Sequence, residues 1–316
     1  MARNELRLTR RELLAGSAGL ALGTLAAGLP LASWAADLVP LEVAYAGSMS
    51  SVMEGPVKAA VAQHLGAEFR GRAQGSNGLA QLIVSGTIRP DVFLSVTPGP
   101  METVLHAGKA TAAYPFARTE MVIAYSPKSR FAAKFAQAGQ TGAEPWWQVV
   151  EESGLRFGRT DPVTDPQGRN IIFTMMLAAQ LYKQPDLLQR VLGPTINEQQ
   201  IFSEPSVQAR LQSGELDAAS AYKIQPGPFN LPFIKLPDAI NLGSYNVQAE
   251  HPDISLTVAG KNYRPEPLVY YAAVLKDAPH PDQAAAFVKW INESEAQDIF
   301  RRFSYDPPGN TPRLSA

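Results

Sequence analysis

One short apolar strand followed by one helix is the unit that this chain repeats, and the repetition constrains the fold more than any other feature. Three such units succeed one another, with strand patterns over residues 41–46, 67–73 and 91–96 and helix patterns over residues 50–65, 79–85 and 101–106. Short apolar runs bounded by turn residues indicate buried strands, and longer periodic runs indicate helices. Strands that alternate with helices predict an α/β fold with a parallel sheet and right-handed crossovers.

The remainder of the chain contains the same kinds of element. Strand patterns end at residues 125, 159, 222 and 275, and helix patterns cover residues 144–152, 170–183, 206–213, 282–291 and 293–303. A chain of 316 residues is long enough for about two domains. We therefore predict two α/β halves, each a sheet flanked by helices.

The amino terminus has the composition of an export signal. Basic residues between Arg3 and Arg11 precede a stretch without charge over residues 13–36. A basic region, an apolar region and small residues in this order are typical of a signal peptide, and the pair Arg10-Arg11 resembles the twin-arginine type. We predict an export signal over residues 1–35 and a periplasmic mature protein. A transmembrane anchor is the alternative, although the glycines of the stretch make it a poor permanent helix.

Charge and cysteine content exclude several classes of function. The chain has 28 Lys plus Arg against 29 Asp plus Glu, and removal of residues 1–35 leaves 24 against 27, a net charge of −3. Nucleic-acid binding is normally accompanied by a basic excess or stripe, which is missing here. Without cysteine there is no thiolate nucleophile, disulfide or cysteine-based metal site. A protein of this charge that binds an anion must rely on local geometry.

Enzyme signatures are equally scarce. The four histidines are not spaced by four residues, so no pair shares a helix face as in a zinc site. No G-x-S-x-G, G-x-G-x-x-G or P-loop pattern occurs. Asp161 and Asp165 could form an acid/base pair, but each precedes a proline in a tight loop and is equally well explained as a turn residue.

Two serines lie at equivalent positions of successive units. Ser48 and Ser76 each follow a strand at the start of a helix. Both therefore fall at the carboxyl edge of the predicted sheet, where ligands bind in open α/β folds. Each serine could instead be a simple helix cap. Together with backbone N–H groups near Gln167 and the phenol of Tyr222, they make a set of uncharged donors, and helix amino termini bind oxyanions without Lys or Arg.

The order of several motifs resembles that of periplasmic molybdate/tungstate-binding proteins, particularly the tungstate-binding subgroup. These motifs are AYAGSM at residues 44–49, QGSNGLA at residues 74–80, DVFLS at residues 91–95, the loop at residues 159–168, and GELD at residues 214–217 leading to Tyr222. The resemblance covers nearly the whole mature chain. It implies a two-lobed solute-binding fold of type II that closes on a tetrahedral oxyanion, has no catalytic activity, cofactor or metal ion of its own, and delivers its ligand to an ABC transporter permease.

By motif match, the resemblance also implies site residues. The two oxyanion serines fall on Ser48 and Ser76, the backbone donor of the mid-chain loop falls near Gln167, and the tyrosine falls on Tyr222. Asp165 matches the first of two carboxylates that approach the metal centre of the anion in the tungstate-binding subgroup.

The second carboxylate of that subgroup is missing, because Ala221 stands at its position. A carboxylate beside a dianion is repulsive unless it binds the metal centre or carries a proton. We therefore expect tetrahedral recognition, with Asp165 turned away from the anion, protonated, or forming an Asx turn in its loop.

These expectations combine into one hypothesis. One lobe is predicted from residues 36–118 plus 268–316 and the other from residues 119–267, with the anion between them in a monomer. Sulfate, another oxyanion or a small organic anion remains an alternative ligand. A periplasmic hydrolase or transferase that uses Asp161 or Asp165 as a base is the alternative from another class.

Overall fold

A computed structural model of the chain describes residues 38–141 and 145–316. The predicted export signal over residues 1–35 lies outside the described residues. The strands are β1 Val39–Ala46, β2 Ala67–Gln74, β3 Val92–Val96, β4 Ala112–Arg118, β5 Met121–Tyr125, β6 Phe157–Gly158, β7 Ala218–Tyr222, β8 Phe233–Lys235, β9 Leu256–Val258, β10 Lys261–Tyr263, β11 Val269–Val274 and β12 Leu314–Ser315.

The helices alternate with these strands, as the sequence pattern predicts. They are α1 Ser50–Val52, α2 Lys58–Ala60, α3 Ser76–Val84, α4 Pro98–His106, α5 Ala132–Thr141, α6 Trp146–Val150, α7 Pro166–Leu181, α8 Leu187–Leu192, α9 Glu204–Ser213, α10 Val247–Glu250, α11 Pro281–Trp290 and α12 Ser294–Arg302. The helix predicted over residues 50–65 is present, because π-helical turns at Met53–Val57 and Val61–Leu65 join α1 and α2 into one run. It is kinked at Gly55, which has non-helical backbone angles, next to Pro56, which lacks an N–H group.

Two main sheets organise the described part of the chain. The first has the strand order β12-β4-β11-β3-β1-β2, and the second has the order β6-β7-β5-β8; β9 and β10 form a separate antiparallel pair. Helices cover both faces of the first sheet. Adjacent residues of its strands belong to different apolar clusters, one on each face. Val43 and Tyr270 lie in one cluster, while Ala44 and Tyr271 lie in the other with residues of α3 and α4. Alternation of this kind is the two-residue period of a strand.

The prediction of a parallel sheet holds only in part. Strands β1, β2 and β3 are parallel, and so are β6 and β7, but β11 is antiparallel to β3 and β4, and β5 is antiparallel to β7 and β8. The reason is that the chain passes between the sheets twice. Strand β4 leaves the first sheet and continues after two residues as β5 of the second, while β11 returns and inserts between β3 and β4.

The amino end of α7 is held closely against the loop that follows β6. A Cβ atom built on Gly168 would lie 2.7 Å from the backbone C of Asp161 and 2.7 Å from the backbone N of Pro162. Only a glycine allows this approach of helix to loop. The glycine therefore fixes where α7 begins relative to the strand end.

A buried carboxylate joins the starts of β6 and β7. Asp217 accepts hydrogen bonds from the backbone N of Arg156 at 2.9 Å, from its guanidinium Nε at 2.9 Å, and from Ser129 Oγ at 2.8 Å. Burial alone would raise the pKa of Asp217, but the hydrogen bonds from Arg156 and Ser129 outweigh it and hold the pKa below its ordinary value. These bonds fix the strand whose far end carries Tyr222.

In the described residues, none of the helices has the length and apolar character that crossing a membrane requires.

Substitution of Gly168 tests the close packing of α7. Gly168→Ala is expected to lower the free energy of unfolding by about 1 to 3 kcal/mol, because the added methyl group meets backbone atoms that cannot rotate away. Gly139→Ala is the matched control, since Gly139 lies exposed in α5 and its added methyl group would make only ordinary contacts; this change should leave stability equal or slightly higher. Thermal and denaturant unfolding measure both. Equal stability of the two variants would contradict the packing argument.

Substitution of Asp217 tests the buried carboxylate. Asp217→Asn is expected to lower the free energy of unfolding at pH 7 by about 2 to 3 kcal/mol, because it removes an ionic hydrogen-bond acceptor. A carboxyl with a lowered pKa in the folded protein stabilises it above the ordinary pKa, and this stabilisation disappears as the pH falls through the folded value. The difference between wild type and variant should therefore shrink below about pH 4. Asp253→Asn, at an exposed position, serves as the control.

Candidate functional site

A cavity of about 1030 Å³ lies at the carboxyl ends of the parallel strands. Its wall comes from the turns after β1 and β2, the loop between β6 and α7, the first turns of α9 and the turn after β7. A Cβ built on Gly75 would lie 3.7 Å from the backbone O of Thr164, so the turns of the first sheet face the loops of the second at close range. Both sheets therefore contribute to one cavity.

Of the two predicted serines, Ser48 is the one that lines the cavity. It lines the cavity in the turn after β1 and is half-buried. Its Oγ lies 3.3 Å from the Oη of Tyr270, a fully buried residue of β11. Burial raises the pKa of Tyr270, so this phenol remains a neutral hydroxyl at physiological pH.

Ser76 lies behind the cavity wall. Its neighbours Gly75 and Asn77 line the cavity, whereas Ser76 itself is buried and its Oγ accepts a hydrogen bond from the backbone N of Val96 at 3.3 Å. It is the first residue of α3 and not a cap, since Gly75 precedes the helix. Because Oγ acts as the acceptor for Val96, the hydroxyl hydrogen of Ser76 is still available for donation.

Asp165 caps α7. The residue lines the cavity, and its Oδ1 accepts a hydrogen bond from the backbone N of Gln167 at 2.9 Å. This is the Asx-turn arrangement, one of the three expected for this residue. Burial raises the pKa of Asp165, although the bond from Gln167 acts in the opposite direction. The backbone N–H of Gln167, predicted as a ligand donor, is therefore already engaged by the cap.

The side chain of Gln167 belongs to a network of amides under the cavity. Its Nε2 donates to the backbone O of Ser220 at 3.0 Å and to Gln225 Oε1 at 3.1 Å. Gln225 Nε2 donates in return to Gln167 Oε1 at 3.2 Å and also to Glu204 Oε1 at 2.6 Å. Gln225 thus connects α7 and α9 beside the end of β7.

Tyr222 is buried at the end of β7. Its Oη accepts a hydrogen bond from Asn170 Nδ2 at 3.0 Å. Burial, together with the negative charge of Asp165 and the phenol of Tyr270, raises its pKa well above the usual value. Tyr222 is therefore a neutral donor whose hydroxyl hydrogen is not used in the bond with Asn170.

The cavity wall carries carboxyl groups and no basic side chain. Asp161, Asp165 and Glu204 line it, whereas no Lys, Arg or His does so among the described residues. Burial raises the pKa of Glu204 to about 7, and the charge of Asp165 adds to this effect. Across residues 38–141 and 145–316, no group of three or more His, Cys, Asp or Glu could hold a metal ion. The available hydrogen-bond donors are neutral hydroxyls and amides.

Sequence reasoning missed three groups of this site: Glu204, Gln225 and Tyr270. The helix predicted over residues 206–213 begins at Glu204, and a proline at position 205 is a common signal for such an earlier start. The pair Tyr270-Tyr271 in a strand implies that the two phenols face opposite sides, but not which one faces the site. No local signal indicates that Gln225 pairs with Gln167.

Comparisons with known proteins agree with this architecture. Residues 41–306 match the family model described as bacterial extracellular solute-binding protein. A solute-binding protein of Halobacterium salinarum is 29% identical over 286 residues, which cover 90% of this chain and 88% of the relative. The molybdate/tungstate-binding protein WtpA of Thermococcus kodakarensis is 29% identical over 224 residues, which cover 62% of each chain.

Solved structures show the same fold at low sequence identity. The Azotobacter vinelandii periplasmic molybdate-binding protein has a TM-score of 0.56 at 17% identity, covering 84% of this chain and 98% of that one. The Mycobacterium tuberculosis sulfate-binding protein SubI has a TM-score of 0.57 at 11% identity, covering 86% and 88%. The predicted α/β fold of two-lobed periplasmic binding proteins is thereby confirmed, whereas the predicted lobe boundaries stay a prediction. With a family match over most of its length, the chain belongs to the bacterial extracellular solute-binding proteins.

Proposed function

We propose that this chain captures molybdate or tungstate in the cavity and delivers it to the permease of an ABC transporter. The observation that carries the proposal is one cavity at the carboxyl ends of strands from both sheets, whose wall includes hydroxyl side chains such as Ser48 and, among the described residues, no Lys, Arg or His. The names of relatives such as WtpA support the choice of anion.

The cavity is the cleft between two lobes in this proposal. One lobe comprises residues 36–118 with residues 268–316, and the other comprises residues 119–267. The two sheets support this division, because the chain passes between them at residues 119–120 and returns before β11. Closure of such a hinged pair brings donors from both lobes onto the ligand.

Neutral donors are sufficient to hold a dianion in such a cleft. Ser48 brings a hydroxyl group to the cavity wall, whereas Ser76 and Tyr222 are buried behind the wall, where each keeps a hydroxyl hydrogen that its known bond does not use. Each hydrogen bond to a charged group contributes about 1.5 to 3 kcal/mol, so four or five support micromolar binding after the cost of closure. Residues Ser48, Ser76 and Tyr222 are thus the proposed donors, and Gln167 acts through its cap and amide network.

We infer no catalytic role for the carboxyl groups. Asp165 Oδ1 is already bonded to the backbone of Gln167, and Asp161 Oδ1 accepts from the backbone N of Val163 at 2.8 Å. Both carboxyls therefore act as turn formers, which disfavours the hydrolase or transferase alternative. We propose instead a monomeric periplasmic carrier, exported through its twin-arginine signal.

Isothermal titration of the purified protein with molybdate, tungstate, sulfate and phosphate tests the proposed ligand. Saturable binding of one equivalent of molybdate or tungstate is expected, with sulfate binding at least tenfold weaker, because a site shaped for the larger anions leaves sulfate short of its donors. Absence of binding by all four anions would reject the proposal. Preference for sulfate would assign the alternative ligand.

Serine variants test the donors. Ser48→Ala is expected to weaken molybdate binding by about tenfold or more, because it removes a hydroxyl from the cavity wall. Ser76→Ala should have a similar effect, because it removes the hydroxyl hydrogen that Ser76 keeps beside the cavity wall. Ser85→Ala, exposed just after α3, is the control and should bind as wild type. Unchanged affinity in both Ser48→Ala and Ser76→Ala would contradict the assignment.

A further inference from the structure

The first turns of α9 present two polar side chains to the cavity that the proposed function does not yet use. Glu204 and Gln208 are four residues apart, so they lie on one face of this helix, and both line the cavity. We propose that this face contacts the ligand, with Gln208 contributing its side-chain amide and Glu204 acting as a carboxylic acid that donates a hydrogen bond to the anion. The inference rests on the proposed function, because it assigns further contacts in the same site.

Unmet hydrogen bonds at Gln208 supply the first argument. Gln208 is 4% exposed, and neither its amide nitrogen nor its amide oxygen has a hydrogen-bond partner. A buried amide without partners is costly, and few such groups occur in folded proteins. A side chain of this kind in a cavity wall is accounted for if a ligand supplies the missing partner.

The geometry of Glu204 supplies the second argument. Its Oε1 accepts a hydrogen bond from Gln225 Nε2 at 2.6 Å, which leaves Oε2 as the oxygen that can carry a proton. A Cβ built on Gly47 would lie 3.5 Å from Oε2, so this oxygen faces the turn that carries Ser48. A proton on Oε2 therefore points toward the part of the cavity where the proposed serine donor lies.

The charges around Glu204 favour its protonated form. The groups that face it are Asp165 at the start of α7, Tyr222 at the end of β7, and the phenols of Tyr270 and Tyr305. Asp161 also lines the cavity, and Arg210 of the same helix is paired with Glu215. These neighbours of Glu204 are acidic or phenolic, and burial raises the pKa of Glu204 to about 7. An anion bound nearby favours the proton further.

A defined pH dependence follows from this arrangement. Below about pH 7, Glu204 is already protonated in the free protein, so affinity for the anion is constant. Above that value the free protein must take up a proton in order to bind, and affinity falls by at most about tenfold per pH unit. Molybdate remains a dianion over this range, so the change originates in the protein.

Gln208→Leu separates a ligand contact from a structural role. Replacement of an unpaired buried amide by an apolar side chain of similar size should leave the thermal stability of the full chain equal or higher. Affinity for molybdate is nevertheless expected to fall about tenfold. Gln212→Leu, at an exposed position of the same helix, is the matched control and should bind as wild type. Wild-type affinity in Gln208→Leu would overturn the role of Gln208.

Glu204→Gln tests the acid, with titrations of molybdate at pH 6 and pH 8.5. The amide keeps a hydrogen-bond donor and cannot ionise, so the variant should bind within about threefold of wild type at pH 6 and at least tenfold more tightly than wild type at pH 8.5. Glu198→Gln, which is exposed outside the cavity, should keep the wild-type pH profile.

Three outcomes would overturn the role of Glu204. If the affinity for molybdate falls equally with pH in wild type and Glu204→Gln, the pH dependence belongs to another group. If the affinity of the wild type is the same at pH 6 and pH 8.5, the predicted pH dependence does not exist. Loss of binding by Glu204→Gln at both pH values would show that an ionised carboxylate is needed. In each case the wild type binds molybdate at pH 6, so the proposed function survives. Failure of the wild type to bind any oxyanion at pH 6 would reject both proposals together.

Discussion

The proposed binding of a dianion in a cavity wall without Lys, Arg or His is the constraint on which our account of this site depends. A dianion that leaves water loses a large solvation energy, and only donors already directed at it can replace that solvation. The cavity wall of the described chain offers hydroxyls and amides but no Lys, Arg or His. Carboxyl groups in the same wall must therefore be bonded within the protein or protonated. Asp165 satisfies the first condition through Gln167, and Glu204 approaches the second.

The connection between the two sheets explains why the proposed donors lie at or near one cavity. Parallel strands β1 and β2 direct their following turns toward the cavity, and β6 and β7 do so from the second sheet. The reversal of β5 and β11 is a consequence of the same arrangement, since the chain must cross from one sheet to the other and return. Buried supports such as Asp217 then fix the strands on which the donors lie. A site formed by strand ends is positioned by the sheets and not by the loops alone.

Sequence patterns predict those parts of the site that depend on local structure. The alternation of strands and helices placed Ser48 at a strand end, and the family resemblance pointed to Asp165; both line the cavity. The direction of the Ser76 hydroxyl could not be predicted, because it depends on the backbone of Val96, twenty residues further along the chain. Glu204 and Gln225 were not predicted as site residues for the same reason, since the hydrogen bond between them joins α9 to the turn after β7. Contacts between distant segments are set by packing, which no motif records.

The packing around Ala221 explains why this chain departs from the tungstate-binding subgroup at that position. The tungstate-binding subgroup has a carboxylate at this position, whereas Ala221 is fully buried in an apolar cluster with Val122 of β5 and Leu211 of α9. A carboxylate pointing into that cluster would lack partners and would be costly. The methyl group instead allows α9 to pack on β7, and the same helix carries Glu204 at its amino end, in the cavity wall. Glu204 therefore brings a carboxyl group to the cavity from a different element, in addition to Asp161 and Asp165. Because Glu204 is half-buried beside Asp165, its proton is, in our proposal, part of how the site tolerates an anion.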